Sequence, residues 1–168
     1  LKKIDRVGFG ELLFNDVRYN TDGSPKEDFV LNQPKYQGGS ILVSGPQFGI
    51  GSSLEHAPWA IQQYGFKVVI APSFGDIFRN NCFQNGLLPV QLSERDVQTL
   101  IQRAEELNDY QITVDLEAQE VHDFVGFSAK FEVDAFRRDC LIRGLDDIGL
   151  TQEHDDAIAA YEREHSVT

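Results

Sequence analysis

The most constraining feature of this chain is a long central stretch with almost no charge. Residues 36–91 carry only four Lys, Arg, Asp or Glu side chains in 56 positions, and eight of the 14 glycines lie there. The formal net charge of −12 falls in residues 92–168, which hold 19 acidic and seven basic side chains. A neutral, glycine-rich stretch predicts either a parallel-sheet core with tight turns or a surface that another molecule covers.

The apolar runs of this stretch predict a parallel β–α–β arrangement. Short runs typical of buried strands occupy residues 39–44, 66–71 and 87–92. A helix is expected from about Ala57 to Tyr64, because Pro58 is tolerated only in a first turn and Gly65 is a typical stop. A second short helix, capped by Ser73, is expected to run through about Cys82.

The remaining residues predict further elements of a mixed α/β domain that spans 1–168. The expected elements are a helix over 94–107 capped by Ser93, β segments at 110–116, 121–125 and 127–133, a helix over 135–143 between Asp134 and Gly144, and a final helix over 152–164 opened by Thr151. No linker or internal repeat interrupts them. One domain is therefore expected.

Composition excludes several classes of protein. The 168 residues are 41% hydrophobic and 25% charged, which is typical of a globular chain. No run of about 18 apolar residues predicts a membrane span. The charged start at residues 1–6 does not resemble a signal peptide, so a cytoplasmic location is expected. The acidic balance disfavours nucleic acid as a partner.

Cysteine usage limits metal chemistry. Cys82 and Cys140 are the two cysteines of the sequence. Two thiols so far apart predict neither a disulfide framework nor a zinc cluster, and this chain alone cannot hold a four-thiolate iron–sulfur cluster. The expectation is that this chain binds no metal.

The loop between the first strand and the first helix is the expected functional site. Gly49 and Gly51 permit positive φ angles and expose successive N–H groups, and Ser52 and Ser53 add two hydroxyls before a helix N-terminus. The pattern is neither a dinucleotide fingerprint nor a P-loop, since Leu54 stands at the final glycine position and no Lys follows the serines. As a bare pattern it is most often a capped helix start.

The residues around this loop carry a resemblance to a known family. The segments are Phe48–Ala60, Tyr64–Phe74 and Asp76–Pro89, and the likeness extends through 131–136 and 144–151 to 158–161. They resemble the small subunits of 3-isopropylmalate dehydratase, in the aconitase superfamily. The resemblance implies a swivelling β/β/α domain with a mixed, partly parallel sheet flanked by helices, as in the C-terminal domain of aconitase.

The function implied by the resemblance is that of one half of a heterodimeric hydro-lyase. Such an enzyme interconverts 2-isopropylmalate and 3-isopropylmalate in leucine biosynthesis by removing water and adding it back the other way round. Its large subunit is expected to supply a [4Fe–4S] cluster, which acts as Lewis acid on the leaving hydroxyl. The small subunit is expected to act only in complex with that partner.

The resemblance also assigns roles to single residues. It implies that Ser52 is the catalytic base, and that Ser53 and backbone N–H groups around Gly51 hold a substrate carboxylate. The family motif has Arg where this chain has Leu54, so Leu54 occupies a substrate-binding position without the positive charge.

The start of the chain also departs from the family pattern. The segment at Leu1 and Lys2 resembles a loop that selects the substrate side chain, and the family segment that precedes this loop is expected to be missing.

Two other functions remain open on the sequence. One is a non-catalytic or altered-substrate paralogue that still partners an aconitase-type large subunit, and the other is an unrelated module that binds small carboxylates. Glu55 and His56 have two possible roles, an acid–base pair or residues that cap and brace the helix start, of which the second is the commoner.

Overall fold

The computed structural model describes residues 7–51 and 54–144. Leu1, Lys2, Ser52, Ser53 and the predicted helix over 152–164 lie outside the described residues. The helices are α1 (Asn15–Arg18), α2 (His56–Tyr64), α3 (Asp76–Gln84), α4 (Glu94–Glu106) and α5 (Ala135–Arg143). The strands are β1 (Ile41–Val43), β2 (Val68–Ala71), β3 (Leu88–Gln91), β4 (Ile112–Asp115), β5 (Glu120–Asp123) and β6 (Ser128–Lys130).

The neutral stretch forms a three-stranded parallel sheet. Its strand order is β1-β2-β3, with Ile41 opposite Val68 and Val68 opposite Leu88. Helix α2 connects β1 to β2, and α3 connects β2 to β3. Both crossovers are expected to be right-handed, and the strand order β1-β2-β3 moves across the sheet in one direction. Both helices are therefore expected on the same face of the sheet. Buried residues of both helices do share one core with Val69 of β2.

The opposite face of this sheet packs against α4 and a second sheet. Strands β4, β5 and β6 form an antiparallel meander in which Val114 lies opposite Val121. Buried residues of α4 and β5, among them Leu100 and Val121, share a core with Ile70. Neighbouring residues of β2 therefore point into different cores, as the alternation of a strand requires. The expected α/β fold is confirmed, with its described strands in two sheets.

Most local predictions are confirmed. Ser93 caps α4 and Asp134 caps α5, each accepting a hydrogen bond from the backbone N–H three residues on. Gly65 and Gly144 follow α2 and α5 with φ angles of 123° and 67°. These signals succeed because each involves residues within one turn of one another.

The expected cap of α3 is wrong. Gly75, not Ser73, is the N-cap of α3, and no side chain caps this helix. The Ser73 Oγ instead accepts a hydrogen bond from the backbone N–H of Gln47 at 2.8 Å. A contact between residues 26 positions apart has taken the hydroxyl that the local pattern assigned to the helix.

Candidate active site

The glycine-rich loop lies at the carboxyl edge of the parallel sheet. It follows β1 and is held against the segment that follows β2 by three hydrogen bonds. Ser73 accepts two of them, from Gln47 N–H at its Oγ and from Phe48 N–H at its carbonyl oxygen at 3.0 Å. Gly75 N–H donates the third to the Phe48 carbonyl oxygen at 2.9 Å. The carboxyl edge is where open parallel sheets place their ligands.

The two glycines of the loop are required for different reasons. Gly49 has φ of 76°, and a Cβ atom there would lie 2.2 Å from Cγ of the buried Phe78. Gly51 has φ of 87°, and no atom of the described residues lies within 4 Å of the place that a Cβ atom would take, so its backbone angle alone favours glycine. The loop is tightly packed at Gly49 and open at Gly51.

Helix α2 begins at His56, three residues after the second serine of the loop. Glu55 is its N-cap residue, with helical angles and no capping hydrogen bond from its side chain, and its carbonyl oxygen accepts the Trp59 N–H at 3.2 Å. Glu55 therefore occupies the cap position of α2, but its side chain makes no capping hydrogen bond. The N-terminus of a helix favours an anion, because its first N–H groups point outward and the helix dipole is positive there.

An apolar cavity of about 450 Å³ lies beside the loop. Its described lining residues are Phe9, Leu12, Leu13, Phe14, Phe48, Gly49, Gly51, Leu54, His56, Ala57, Ala60, Ile61 and Phe78. Gly51 and Leu54, which flank the two serines, both contribute. Among these described lining residues, His56 is the one with a polar side chain. An apolar cavity with few polar groups is typical of a small-ligand site.

The His56 ring packs against two aromatic side chains. Its centroid lies 5.1 Å from that of Phe9 and 5.3 Å from that of Trp59, which it meets edge to face. Trp59 is itself fixed by a hydrogen bond from its Nε1 to Asn85 Oδ1 at 2.8 Å. The buried His56 Nδ1 has no hydrogen-bond partner within the part of the chain that the structure describes. An unpaired buried polar atom costs about 1–3 kcal/mol and indicates a functional role or a missing partner.

Three large apolar side chains are exposed around the loop. Ile50 is 63% exposed, Leu54 58% and Ile77, in the first turn of α3, 56%. We call these three residues the apolar rim. Both explanations of the neutral stretch thus find support in different parts of it, since its strands are core and its loop presents apolar surface.

The structure brings together part of the predicted site. Gly51 and Leu54 line one cavity, whereas Ser52, Ser53, Leu1 and Lys2 fall outside the described residues. The contribution of Phe9 and the neighbouring 12–14 segment was missed. Its only signal in the sequence is a cluster of apolar residues between turn-forming ones.

The described residues offer no metal centre. No group of three or more His, Cys, Asp or Glu side chains within them is arranged to hold a metal ion. Cys82 and Cys140 are both buried free thiols. Burial raises the pKa of the Cys82 thiol well above its usual range, so that this sulfur stays protonated and is a poor ligand. Across residues 7–51 and 54–144, no helix is long and apolar enough to cross a membrane.

Known families cover most of the sequence. The aconitase C-terminal domain matches residues 1–95, LeuD_N matches 98–135, and the C-terminal domain of the 3-isopropylmalate dehydratase small subunit matches 147–168. A protein of Brevibacillus brevis named 3-isopropylmalate dehydratase small subunit is 55% identical over 162 residues, which are 96% of this chain and 84% of that protein. The chain belongs to this family.

Further members of the 3-isopropylmalate dehydratase small-subunit family agree. The protein of that name from Koribacter versatilis is 55% identical over 99% of this chain and 85% of its own length. The one from Geobacillus kaustophilus is 53% identical over 98% of this chain and 83% of its own length. The resemblance seen in the sequence is confirmed, and with it the assignment to the small subunits of a hydro-lyase.

A solved structure of the same family supports the fold. The 3-isopropylmalate dehydratase (LeuD) of Methanocaldococcus jannaschii aligns with a TM-score of 0.58 at 27% identity. The alignment covers 74% of this chain and 70% of that one.

Proposed function

We propose that this chain is the small subunit of a 3-isopropylmalate dehydratase, acting with a large subunit to interconvert 2-isopropylmalate and 3-isopropylmalate. One observation carries the proposal beyond family membership. The ends of the serine loop, Gly51 and Leu54, both line an apolar cavity at the carboxyl edge of the parallel sheet. A dicarboxylate with a branched alkyl group needs such a combination of apolar space and N–H donors.

Ser52 is the base of the proposed reaction. Its Oγ takes a proton from the carbon next to the one that bears the hydroxyl, and the hydroxyl leaves as water after it takes a proton from an acid of the large subunit. When water adds back with its oxygen on the neighbouring carbon, it returns that proton to the same acid, and the same Oγ returns a proton to the carbon that has lost the hydroxyl. A serine alkoxide requires N–H donors, each worth about 3–4 kcal/mol in comparable sites, and the glycine loop and the N-terminus of α2 supply them.

The substrate side chain occupies the apolar cavity in this proposal. An isopropyl group fits a lining of phenylalanine, leucine and alanine side chains. Ser53 and the Gly51 backbone hold a carboxylate, and Leu1 and Lys2 contribute to side-chain selection, while Leu54 adds apolar lining.

The large subunit supplies what this chain lacks. Two cysteines in the whole sequence cannot ligate a [4Fe–4S] cluster, so we assign the cluster to the partner. The apolar rim is the surface that the partner covers.

We further propose that residues 1–168 form one domain and that the protein is cytoplasmic, where the two thiols stay reduced.

Replacement of Ser52 by Ala tests the proposal. In the complex with a cluster-loaded large subunit, turnover of 3-isopropylmalate should fall at least about 10³-fold, while the melting temperature stays within a few degrees because a loop hydroxyl contributes only about 1 kcal/mol. Ser40→Ala is the matched control, since Ser40 is exposed just before β1, at the opposite edge of the sheet. Comparable turnover in Ser52→Ala would contradict the assignment of the base.

Leu54 favours one second candidate, an altered-substrate or non-catalytic paralogue. An exposed leucine at the position of the family arginine removes a bidentate carboxylate partner. Under this alternative the wild-type complex assembles but fails to turn over either isopropylmalate, whereas the first proposal requires measurable turnover by the wild-type complex.

A further inference from the structure

His56 is a polar group of the site that the proposed mechanism leaves unused. It is the first residue of α2, two positions after Leu54, and it lines the same cavity as Gly51 and Leu54. Every other side chain in the described lining is apolar. A polar ring in that position is either a packing residue or a ligand contact.

The burial of one ring nitrogen decides how His56 interacts. Nδ1 is buried without a hydrogen-bond partner among the described residues, in a ring packed against Phe9 and Trp59. A proton on Nδ1 would leave an unmatched donor in apolar surroundings, and a second proton would bury a charge there as well. The neutral ring with its proton on Nε2 avoids both costs. Nε2 is then the ring nitrogen with a proton to donate to a ligand in the cavity that His56 lines.

We propose that His56 is a substrate-binding residue whose Nε2–H donates a hydrogen bond to a substrate carboxylate at the cavity mouth. This role rests on the proposed function. The proposed donor is neutral and lies two residues after Leu54. Leu54 stands at the position where the family motif has a cationic arginine. This role also excludes His56 as a reserve base, because a base at Nε2 would need the proton on the buried Nδ1.

Three substitutions separate a donor at Nε2 from a packing role. Gln places an amide N–H near the position of Nε2, Asn places one nearer that of Nδ1, and Phe keeps the ring without any donor. Each variant is assembled with the large subunit and assayed for kcat and KM with 3-isopropylmalate. The inhibition constant of isopropylsuccinate, which keeps both carboxylates but lacks the hydroxyl, is measured beside them. His122→Gln, on β5 in the other sheet, is the control.

The expected result is a binding defect that follows the Nε2 donor. His56→Phe and His56→Asn should raise KM and the isopropylsuccinate inhibition constant about 10-fold or more, with kcat changed less than about 3-fold. His56→Gln should remain within about 3-fold of wild type. The melting temperature of His56→Phe should not fall, because the substitution removes an unpaired buried nitrogen. His122→Gln should leave KM unchanged.

Four outcomes would overturn the inference. They are unchanged KM in His56→Phe, a loss confined to kcat, an effect on KM but not on isopropylsuccinate, and equal behaviour of the Gln and Asn variants. If Phe fails to fold, the Gln and Asn variants decide between the roles. Inactivity of the wild-type complex would count against the proposed function instead, and direct binding of isopropylsuccinate to the variant complexes, by calorimetry, would then test His56.

Discussion

The two faces of the parallel sheet differ in how completely their polar groups are paired. On one face, the meander encloses the carboxylate of Asp123, whose side chain is fully buried yet accepts four hydrogen bonds. Arg103 and Tyr110 donate to one oxygen, and the backbone N–H groups of Val125 and Phe127 donate to the other. A buried charge with this many partners holds one arrangement of α4 and the meander.

On the other face, polar groups remain unpaired and apolar groups remain exposed. Within the described residues, the buried side-chain nitrogens without a partner are His56 Nδ1 in α2 and Arg79 Nε in α3, the helices beside the glycine loop. The apolar rim lies at the same edge. This half keeps features that cost stability, so the meander supports the fold, whereas the loop face carries the features that we propose serve a ligand and a partner.

Gly49→Ala should have the largest effect and should break the loop face. The new Cβ would lie 2.2 Å from Cγ of Phe78, and alanine would have to adopt the left-handed backbone that glycine has there. Together these effects should cost about 2–5 kcal/mol of unfolding free energy and displace the serines. Denaturant unfolding and turnover of the complex measure both losses. Gly38→Ala is the control, since it has almost the same φ of 77° but no described neighbour within 4 Å, so a smaller loss with normal turnover is expected. Equal losses in the two variants would show that the contact with Phe78 is unimportant.

Asp123→Asn should break the meander face instead. An amide in this position turns a donor toward Arg103 and Tyr110 and removes the charge that they share, which should cost about 3 kcal/mol of unfolding free energy. Asp139→Asn removes an exposed ion pair with Arg143 and should cost less than about 1 kcal/mol. Under conditions where Asp123→Asn is folded, its complex should turn over normally. A loss of kcat without a loss of stability would reverse the division between the faces.

Leu54→Arg should sharpen the loop face. The leucine side chain is largely exposed, so an arginine has room to reach a substrate carboxylate without repacking. We expect kcat/KM for 3-isopropylmalate to rise at least about 100-fold, equivalent to about 2.7 kcal/mol, while Leu54→Gln, which is polar but uncharged, rises far less. Full activity of the wild type with no gain from Arg would mean that backbone donors suffice.

Lowering the pH should reduce the stability of the meander face by protonating Asp123. Burial alone favours its protonated form, but the hydrogen bonds from Tyr110, Phe127, Arg103 and Val125 outweigh it and lower the pKa to about 2. A lowered pKa contributes stability above the unfolded-state value, and this contribution is lost as pH falls through the folded-state value. The difference in unfolding free energy between wild type and Asp123→Asn should therefore shrink by about 2 kcal/mol between about pH 4 and about pH 2. A constant difference would contradict the pairing.

The sequence by itself determined the features that depend on near neighbours. The order of strands and helices, the caps at Ser93 and Asp134 and the glycine stops all follow from residues within a turn or a strand of each other. The family motif around the serines likewise identifies the loop, because its residues are contiguous.

Only the tertiary structure decided which distant groups meet. It placed Phe9 and Leu13 against α2 and the glycine loop, diverted Ser73 from α3 to Gln47, and gathered Arg103 and Tyr110 around Asp123. It also buried one nitrogen of His56 and packed the ring of this residue against Phe9 and Trp59. Each of these contacts joins chain segments whose approach depends on packing across a whole sheet face, and packing of this kind leaves no periodic trace in the sequence.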